Sequence, residues 1–536
     1  MSRIVDRCDN TFENPVSAVG APEISISGRS LFKLCFFRAG IFLISLFWFG
    51  IFAPLGLDFH HDGVMIIPAL RVASGGVVFR DVFCQYGLLS PLLQGFSLWA
   101  GGTELLVMKY FSVLFYAGIA VMLDVIWSRL LSLRWRWLIF LMYWGLMPDT
   151  QVTFHAWSSI FALFFSLFSL WFLLRYFERE RWLWLIFSGI AAGLTFLSRH
   201  PVGVVTAIAM FGGLFFKVML TVPQKSRVRI FIKISALAVA GFSAVLLISA
   251  IYLICCGAWD DFVLQCVTFV FKFVHKRGSG GNWIYLAESL CPLTSQLGFF
   301  ALLPMITLAW LFIGVRRAAR EKVDLQRNLA ICVISIFALG AWHQYYPVPC
   351  VRHLFWGGVP FFGFWVLSFR GMLSDRGKYR KICRIAAVML FLHFAVLCSV
   401  RLYSGMFRLK DSRRRVTVDI PGIRGMKLTR GEYAMVSGVC TVLNKLPENI
   451  RARGVLNYTE GGLWNVILPD GGFRHPQFLW MENALYPDYE AKIIEYIRKH
   501  RPVVLLSKPL WLENYMILLS WSYMGETYSL AVPAEL

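Results

Sequence analysis

Charge is scarce in this chain of 536 residues: 16% of it is Asp, Glu, Lys or Arg, against 57% hydrophobic and 16% aromatic residues, and acids (31) are scarcer than bases (53). So little charge excludes an ordinary soluble globular protein and fits an integral membrane one. The short alternating stretches of a transmembrane barrel are missing too; the apolar runs are long enough for helices across a hydrocarbon core of roughly 30 Å. The opening segment, "MSRIVDRCDNTFENPVSAVGAPEISISGRS", has no h-region and no small-residue cleavage site, so it reads as a cytoplasmic tail before a retained anchor. The twelve cysteines include no redox CxxC and no paired metal spacing. Cys84, Cys266, Cys291 and Cys350 fall near one surface without a predicted pairing. No internal repeat is evident, which removes support for an inverted-repeat transporter. The formal net charge of +22 comes with no RNA- or DNA-binding motif, so no nucleic-acid partner is expected.

What is present is a series of apolar runs with basic punctuation. The runs predict spans at 32–54, 105–127, 137–149, 157–174, 183–198, 201–219, 235–256, 292–314, 328–345, 353–369 and 385–402. The Lys and Arg groups at 129–136, 175–181, 225–229, 316–322 and 376–381 are expected on the cytoplasmic side, with the N-terminus inside. "LLSPLLQGFSLWAGG" (88–102) is apolar but short, holds Pro91, and would invert every later basic loop if it crossed. It therefore reads as an interfacial helix with Trp99 at headgroup level, inside one long extracytoplasmic loop, 55–104. From 403 to 536 the composition turns polar, and strand-like "RGVLNYT" and "PVVLLSK" alternate with helix-like "PDYEAKIIEYIRKHR". The expected architecture is an all-α polytopic membrane bundle of about eleven spans, 32–402, behind a tail at 1–31, with a small extracytoplasmic α/β domain at 403–536.

The first outer loop concentrates ionisable groups in "LDFHHDGVMIIPALRVASGG". Asp58 and Asp62 are four apart, so a helix starting near 58 places both carboxylates on one side beside His61. Pro68 argues for a kink, and the Gly pair for a stop. A carboxylate at the water–bilayer boundary suits a general base for a hydroxyl; the plainer readings are a helix cap for Asp58 and solvated histidines. His60, His61 and Asp62 could also ligate a divalent cation, although a vicinal pair lacks zinc-site spacing. Arg80 and Asp81 read equally as a surface ion pair or as acceptor contacts. "NYTEGG" (457–462) satisfies the N-glycosylation sequon, a pattern frequent by chance.

The succession of a first helix, this acidic loop, "GGVVFRDVFCQYGLLSPLL", an apolar helix and a "WAGG" turn resembles the polyprenyl-phosphate-sugar-dependent glycosyltransferases of the GT-C superfold. Among these it is most similar to the lipid A aminoarabinose transferases and protein mannosyltransferases. The likeness covers 30–220 and is architectural beyond. It departs in having His61-Asp62 where those proteins carry two carboxylates and "YGLLSPLL" where they carry Pro-Pro-Leu. The resemblance implies a transferase moving one hexosyl or pentosyl unit from a polyprenyl-phosphate donor to an envelope glycan or glycolipid of the lipopolysaccharide, lipid A or O-antigen type. It places the site on the periplasmic face of a bacterial inner membrane, requires no cofactor and leaves a divalent metal open. Asp62 matches the catalytic position, with Asp58 in support.

Fixed cations are then needed at the departing phosphate. "LSRHPVG" supplies Arg199 and His200, "FKFVHKRGSGGNW" supplies Lys272 with His275, Lys276 and Arg277, and "WHQYYPVPCVRH" supplies His343, Tyr345, Tyr346, Arg352 and His353. Two rival classes stand beside the enzyme. A flippase for a lipid-linked saccharide predicts ionisable residues along several spans, where few are found; Asp124 and His393 lie within candidate spans without a clear mid-depth position. An assembly protein using the bundle as an anchor needs only one span.

Overall fold

The protein is described by a computed structural model at residues 28–146, 154–268, 301–320, 324–344, 351–374, 380–470, 488–508, 510, 512–523 and 525–535, with backbone alone at 28–31, 351, 352 and 354. It divides into two compact units, residues 1–41 and 42–536. The described part of the first is the opening of helix α1 (Gly28–Gly50), in which Phe32 and Phe36 stack.

The second unit holds the rest of α1 and the remaining elements. The helices that place the site are α2 (His61–Ala73), α3 (Leu89–Gly101), α4 (Leu105–Trp127), α5 (Leu133–Leu146), α6 (Ser158–Arg179), α7 (Leu183–Ser198), α8 (His200–Thr221), α9 (Arg227–Cys255), α10 (Leu303–Arg320), α11 (Leu325–Ala341), α12 (Val351–Gly358), α13 (Phe362–Ser374) and α14 (Arg380–Ser412). Among the described residues, seven helices are long and apolar enough to cross a membrane: Phe32–Gly50, Leu105–Trp127, Ser158–Arg179, His200–Thr221, Gln224–Cys255, Leu325–Gln344 and Arg380–Ser412. The protein is a helical, multi-pass membrane protein.

The count of eleven spans is corrected by length and charge. The run at 137–149 becomes α5, of 14 residues, and the run at 183–198 becomes α7, of 16. The run at 353–369 is interrupted by a 3-10 turn, Val359–Phe361, built around Pro360. The first part of 292–314 lies outside the described residues, and α10 carries Arg316, Arg317 and Arg320 within its 18 residues.

The helices run between two ends. Arg199, after α7, meets Ser159 at the start of α6, whereas Lys217 of α8 pairs at 2.6 Å with Glu180, just past the end of α6. Arg136 of α5 likewise pairs with Asp124 near the far end of α4, and Trp144 donates to Ser45 of α1 at 2.9 Å. The basic groups at 129–136, 179–181 and 225–229 thereby fall at the end opposite Arg199. Close packing of α7 on α9 depends on Gly189 and Gly241: a Cβ on either would overlap a carbonyl of the other helix, Ala238 or Ile186.

The segment 88–102 forms α3, 13 residues, about 20 Å at 1.5 Å each, too short to span. Phe96 and Trp99 are exposed on it. α2 begins at His61 rather than 58 and continues through Pro68; its end is closed by Ser74 and by Gly75 at φ +86°, whose N–H groups return to Leu70 and Val72.

Beyond α14 comes an α/β region. Strands β1 (Val416–Thr417) and β2 (Lys427–Leu428) pair antiparallel, and helix α15 (Arg430–Asn444) follows a capping box of Thr429 and Glu432. Then β3 (Val455–Tyr458), α16 (Tyr489–His500), β4 (Val503–Leu506), β5 (Tyr515–Tyr523) and β6 (Glu526–Pro533) build a sheet in the order β3-β4-β6-β5. β3 and β4 are parallel and the other pairs antiparallel. Tyr489, Ile493 and Ile497, on one face of α16, pack on Leu456, Val504 and Ala531 of the sheet. The quoted strand and helix patterns thus form β3, β4 and α16. In the sequon, Asn457 spends its amide inside the fold, donating to the Gly461 carbonyl at 3.0 Å.

This region is tied to the first outer loop through main-chain hydrogen bonds. Lys427 donates to Pro54 at 2.7 Å and accepts from Gly56 at 3.0 Å, and Leu463 donates to Phe59 at 2.9 Å. Phe59 stacks on Trp464 with ring centres 4.6 Å apart. Gly63 lies so close to Gly462 and Leu463 that any Cβ there would overlap their backbone. Gly63→Val is therefore expected to separate the two segments, read as faster limited proteolysis between residues 413 and 470 in the membrane-inserted protein; an unchanged cleavage pattern would contradict this packing.

Candidate functional site

The first turn of α2 separates the two carboxylates that the i, i+4 spacing puts together. Asp62 points into the bundle: its side chain is 1% exposed and Oδ2 receives Lys109 Nζ of α4 at 2.9 Å and the Asp58 N–H at 3.0 Å. Burial pushes its carboxyl up, against the pull of Lys109. Asp58 stands just outside the helix with 22% of its side chain exposed. Its Oδ1 accepts the His61 N–H at 2.8 Å, and Oδ2 meets His61 Nδ1 at 2.8 Å and His155 Nε2 at 3.9 Å. Burial acts to raise the Asp58 carboxyl, but the hydrogen bond and charge of His61, with the charge of His155, hold it well below the usual carboxylate range. An ionised carboxylate only accepts, so His61 donates to it from Nδ1. Of the pair that the sequence proposes as base, Asp58 is the more exposed.

Histidines and aromatics surround this dyad. His61 lies 5.1 Å from Trp157 and 5.3 Å from His155, centre to centre; Trp157 in turn meets Tyr86 at 5.2 Å and stacks parallel to Trp356 at 6.0 Å. The irregular segment 154–157 is fixed from behind. Tyr116 donates to the His155 carbonyl at 3.1 Å and Gln94 to the Ala156 carbonyl at 2.6 Å, both from buried side chains. His60 faces the C-terminal region, its Nδ1 3.0 Å from the Glu460 carbonyl, and burial lowers its pKa, favouring the neutral ring.

Arg199 closes the same wall. Its backbone is extended, at φ −156° and ψ 108°, because α7 ends and Pro201 in the first turn of α8 starts a new helix. The guanidinium lies 5.7 Å over the Tyr86 ring and donates to Ser159 Oγ. No carboxylate pairs with it among the described residues. The planar fork of a guanidinium suits phosphate.

The other sequence candidates scatter. Arg80 and Asp81 form a two-pronged pair, both contacts 2.9 Å, and Arg80 also donates to the Cys256 carbonyl at 2.8 Å, which fastens that turn to the end of α9. The Asp81 carboxyl is held down at about 2, chiefly by Arg80. None of these contacts reaches Asp58. His200 turns toward Phe196 and Phe262, and His343 Nδ1 bonds the Gly340 carbonyl at 2.8 Å. His353 lies beside Trp356, 5.2 Å away, and so borders the wall. Arg352 is placed in α12 by its backbone only. Lys272, His275, Lys276, Arg277, Tyr345 and Tyr346 lie outside the described residues, as do Cys291 and Cys350. Cys84 and Cys266 are both buried, each thiol directed at the Tyr86 carbonyl, 3.6 and 3.7 Å away.

Lys109, His155, Trp157 and Tyr86 are absent from the candidates read in the sequence. Lys109 alone carried a usable signal: a cation inside the predicted span 105–127 is costly unless paired. Among the described residues, no group of three or more His, Cys, Asp or Glu side chains is arranged to hold a metal ion. No protein-family model matches the chain, and no curated protein is similar to it.

The Asp62–Lys109 pair is testable on its own. Lys109→Met leaves a buried carboxylate unpaired and is expected to cost about 3–5 kcal/mol, read as a lower Tm in detergent. Adding Asp62→Leu should restore most of that loss but leave Asp58 without its backbone partner. A double variant no more stable than Lys109→Met would contradict the pairing.

Proposed function

We propose that the chain is a membrane glycosyltransferase that moves one sugar from a polyprenyl-phosphate donor to an envelope glycan or glycolipid of the lipopolysaccharide, lipid A or O-antigen type, at the periplasmic face of a bacterial inner membrane. The observation that carries the reading is the shared wall: a carboxylate–imidazole dyad, Asp58 and His61, joined through Trp157 and Tyr86 to a guanidinium, Arg199, that has no acid of its own among the described residues.

Each end has a task in such a transfer. The acceptor hydroxyl loses its proton to the Asp58–His61 dyad as its oxygen bonds the anomeric carbon. The bond from that carbon to the phosphate oxygen breaks, the electron pair leaves with the phosphate, and Arg199 neutralises the charge that develops there. Asp62, first in the sequence reading, becomes a positioning residue under Asp58, and Lys109 holds it.

A flippase reading has less support. Among the described residues, three buried cations of the bundle are each paired: Lys109 with Asp62, Arg136 with Asp124, and Lys217 with the exposed Glu180. Groups satisfied in this way tie helices together instead of lining a polar path.

Comparing envelope glycolipid masses in cells with and without the gene identifies sugar and acceptor together. Asp58→Asn and His61→Gln are each expected to lower transfer about 100-fold or more with normal membrane insertion. Arg199→Lys should lose the two-pronged contact and cut the rate about tenfold or more. Full transfer by Asp58→Asn would rule out the dyad, and identical glycolipids with and without the gene would rule out the reaction.

A further inference from the structure

The last third of α14 is a feature that the transfer reading does not use. α14 is 33 residues long, about 50 Å at 1.5 Å per residue, well beyond the roughly 30 Å of a hydrocarbon core. Its far portion rises at the Asp58 end, because the chain leaving it enters β1, which pairs with β2, and Lys427 of β2 bonds Pro54. Ile385, Val388, Leu392, Val396, Tyr403 and Phe407 are all exposed, a lipid-facing stripe that covers about 34 Å and fits the core with an ordinary tilt.

Immediately past Phe407 the character changes. Lys410, Arg413 and Arg414 are exposed, and among the described residues none of them has a carboxylate within ion-pair distance; Asp411 is paired with Arg415 at 3.4 Å. Lys410 stands about 5 Å beyond Phe407, inside a headgroup layer roughly 6 Å deep, and the two arginines follow about 9–10 Å beyond Phe407, with side chains long enough to reach back to it. A cation in the last turn of a helix favours the helix dipole, which accounts for Lys410 and not for Arg413 or Arg414 beyond the helix end. The basic loops gather at the other end, as membrane orientation favours, so cations here run against that bias.

We propose that Lys410, Arg413 and Arg414 form a docking surface for the anionic lipid headgroups of the leaflet at the Asp58 end, fixing the depth of the site at the plane of the lipid phosphates. The occupant is the lipid surface itself: the stripe enters the hydrocarbon, and the cations follow it at the depth of phosphate. This holds whatever reaction the Asp58 site performs.

The test is local. Phe407 is replaced by benzoylphenylalanine, a photoreactive analogue one turn below Lys410, in the full chain reconstituted in vesicles of phosphatidylcholine with one fifth phosphatidylglycerol. After illumination the cross-linked lipids are weighed by mass spectrometry. Phosphatidylglycerol is expected to be over-represented at least about fivefold against the vesicle composition. That excess should fall to the vesicle ratio in the K410Q/R413Q/R414Q background and in 0.5 M salt. If the triple variant fails to insert, the salt dependence of the unsubstituted basic cluster decides alone. Cross-links at the vesicle ratio at low salt, an excess that survives salt, or cross-links to protein only would each overturn the proposal.

Discussion

The arrangement of the site depends on one buried ion pair. Lys109 and Asp62 are almost fully removed from solvent, and the desolvation of two such charges is offset only where geometry and further hydrogen bonds are good. Here a third partner, the Asp58 N–H, completes the carboxylate. Buried ion pairs are seldom more stabilising than apolar residues of equal volume; what they supply is a single allowed register. In this fold the register set is that of the loop leaving α1 against α4, so the position of Asp58 follows from a contact made one layer beneath it.

A second constraint acts from the opposite side. The C-terminal α/β region grips residues 54–63 through main-chain bonds to Lys427 and Leu463, the His60–Glu460 contact and the Phe59–Trp464 stack. Main-chain pairing of this kind fixes position without depending on side-chain identity. The dyad is thus held between a buried charge pair in the bundle and a backbone clamp from the α/β region. Preorganisation of this sort suits chemistry, because a reacting group held from two sides loses little freedom when substrate arrives.

Legibility in the sequence followed the range of the interactions. α4, α6, α8 and α14 were readable, since a long apolar run with charged ends reports only on its own residues. Span number was not: the 3-10 turn at Val359–Phe361 interrupts a run that hydropathy alone joins, and α5 and α7 prove shorter than a span. The importance of the 58–62 loop was legible from its charges, but the roles within it were not. The i, i+4 rule assumes one continuous helix, whereas α2 starts at His61 and leaves Asp58 outside, turning the carboxylates in different directions. Trp157, His155 and Tyr86 converge from loops far apart in sequence, and nothing local marks them. Lys109 gave a signal of its own, a charge near the end of an apolar run, which reads equally as a side chain reaching for the interface.

The distribution of satisfied and unsatisfied charge separates chemistry from passage. Inside the bundle, among the described residues, Lys109, Arg136 and Lys217 are each matched by a carboxylate, which costs a permeating group any reason to stop there. Arg199 differs: it reaches a serine hydroxyl and an aromatic face, and among the described residues no acid balances it. A half-buried guanidinium left in that state is expensive to keep unless an anion completes it. Along the same aromatic wall stand a carboxylate that stays ionised and the imidazole hydrogen-bonded to it. Such a wall suits a substrate that carries a phosphate at one end of a breaking bond and receives a hydroxyl at the other, which is the polarity of a lipid-phosphate sugar.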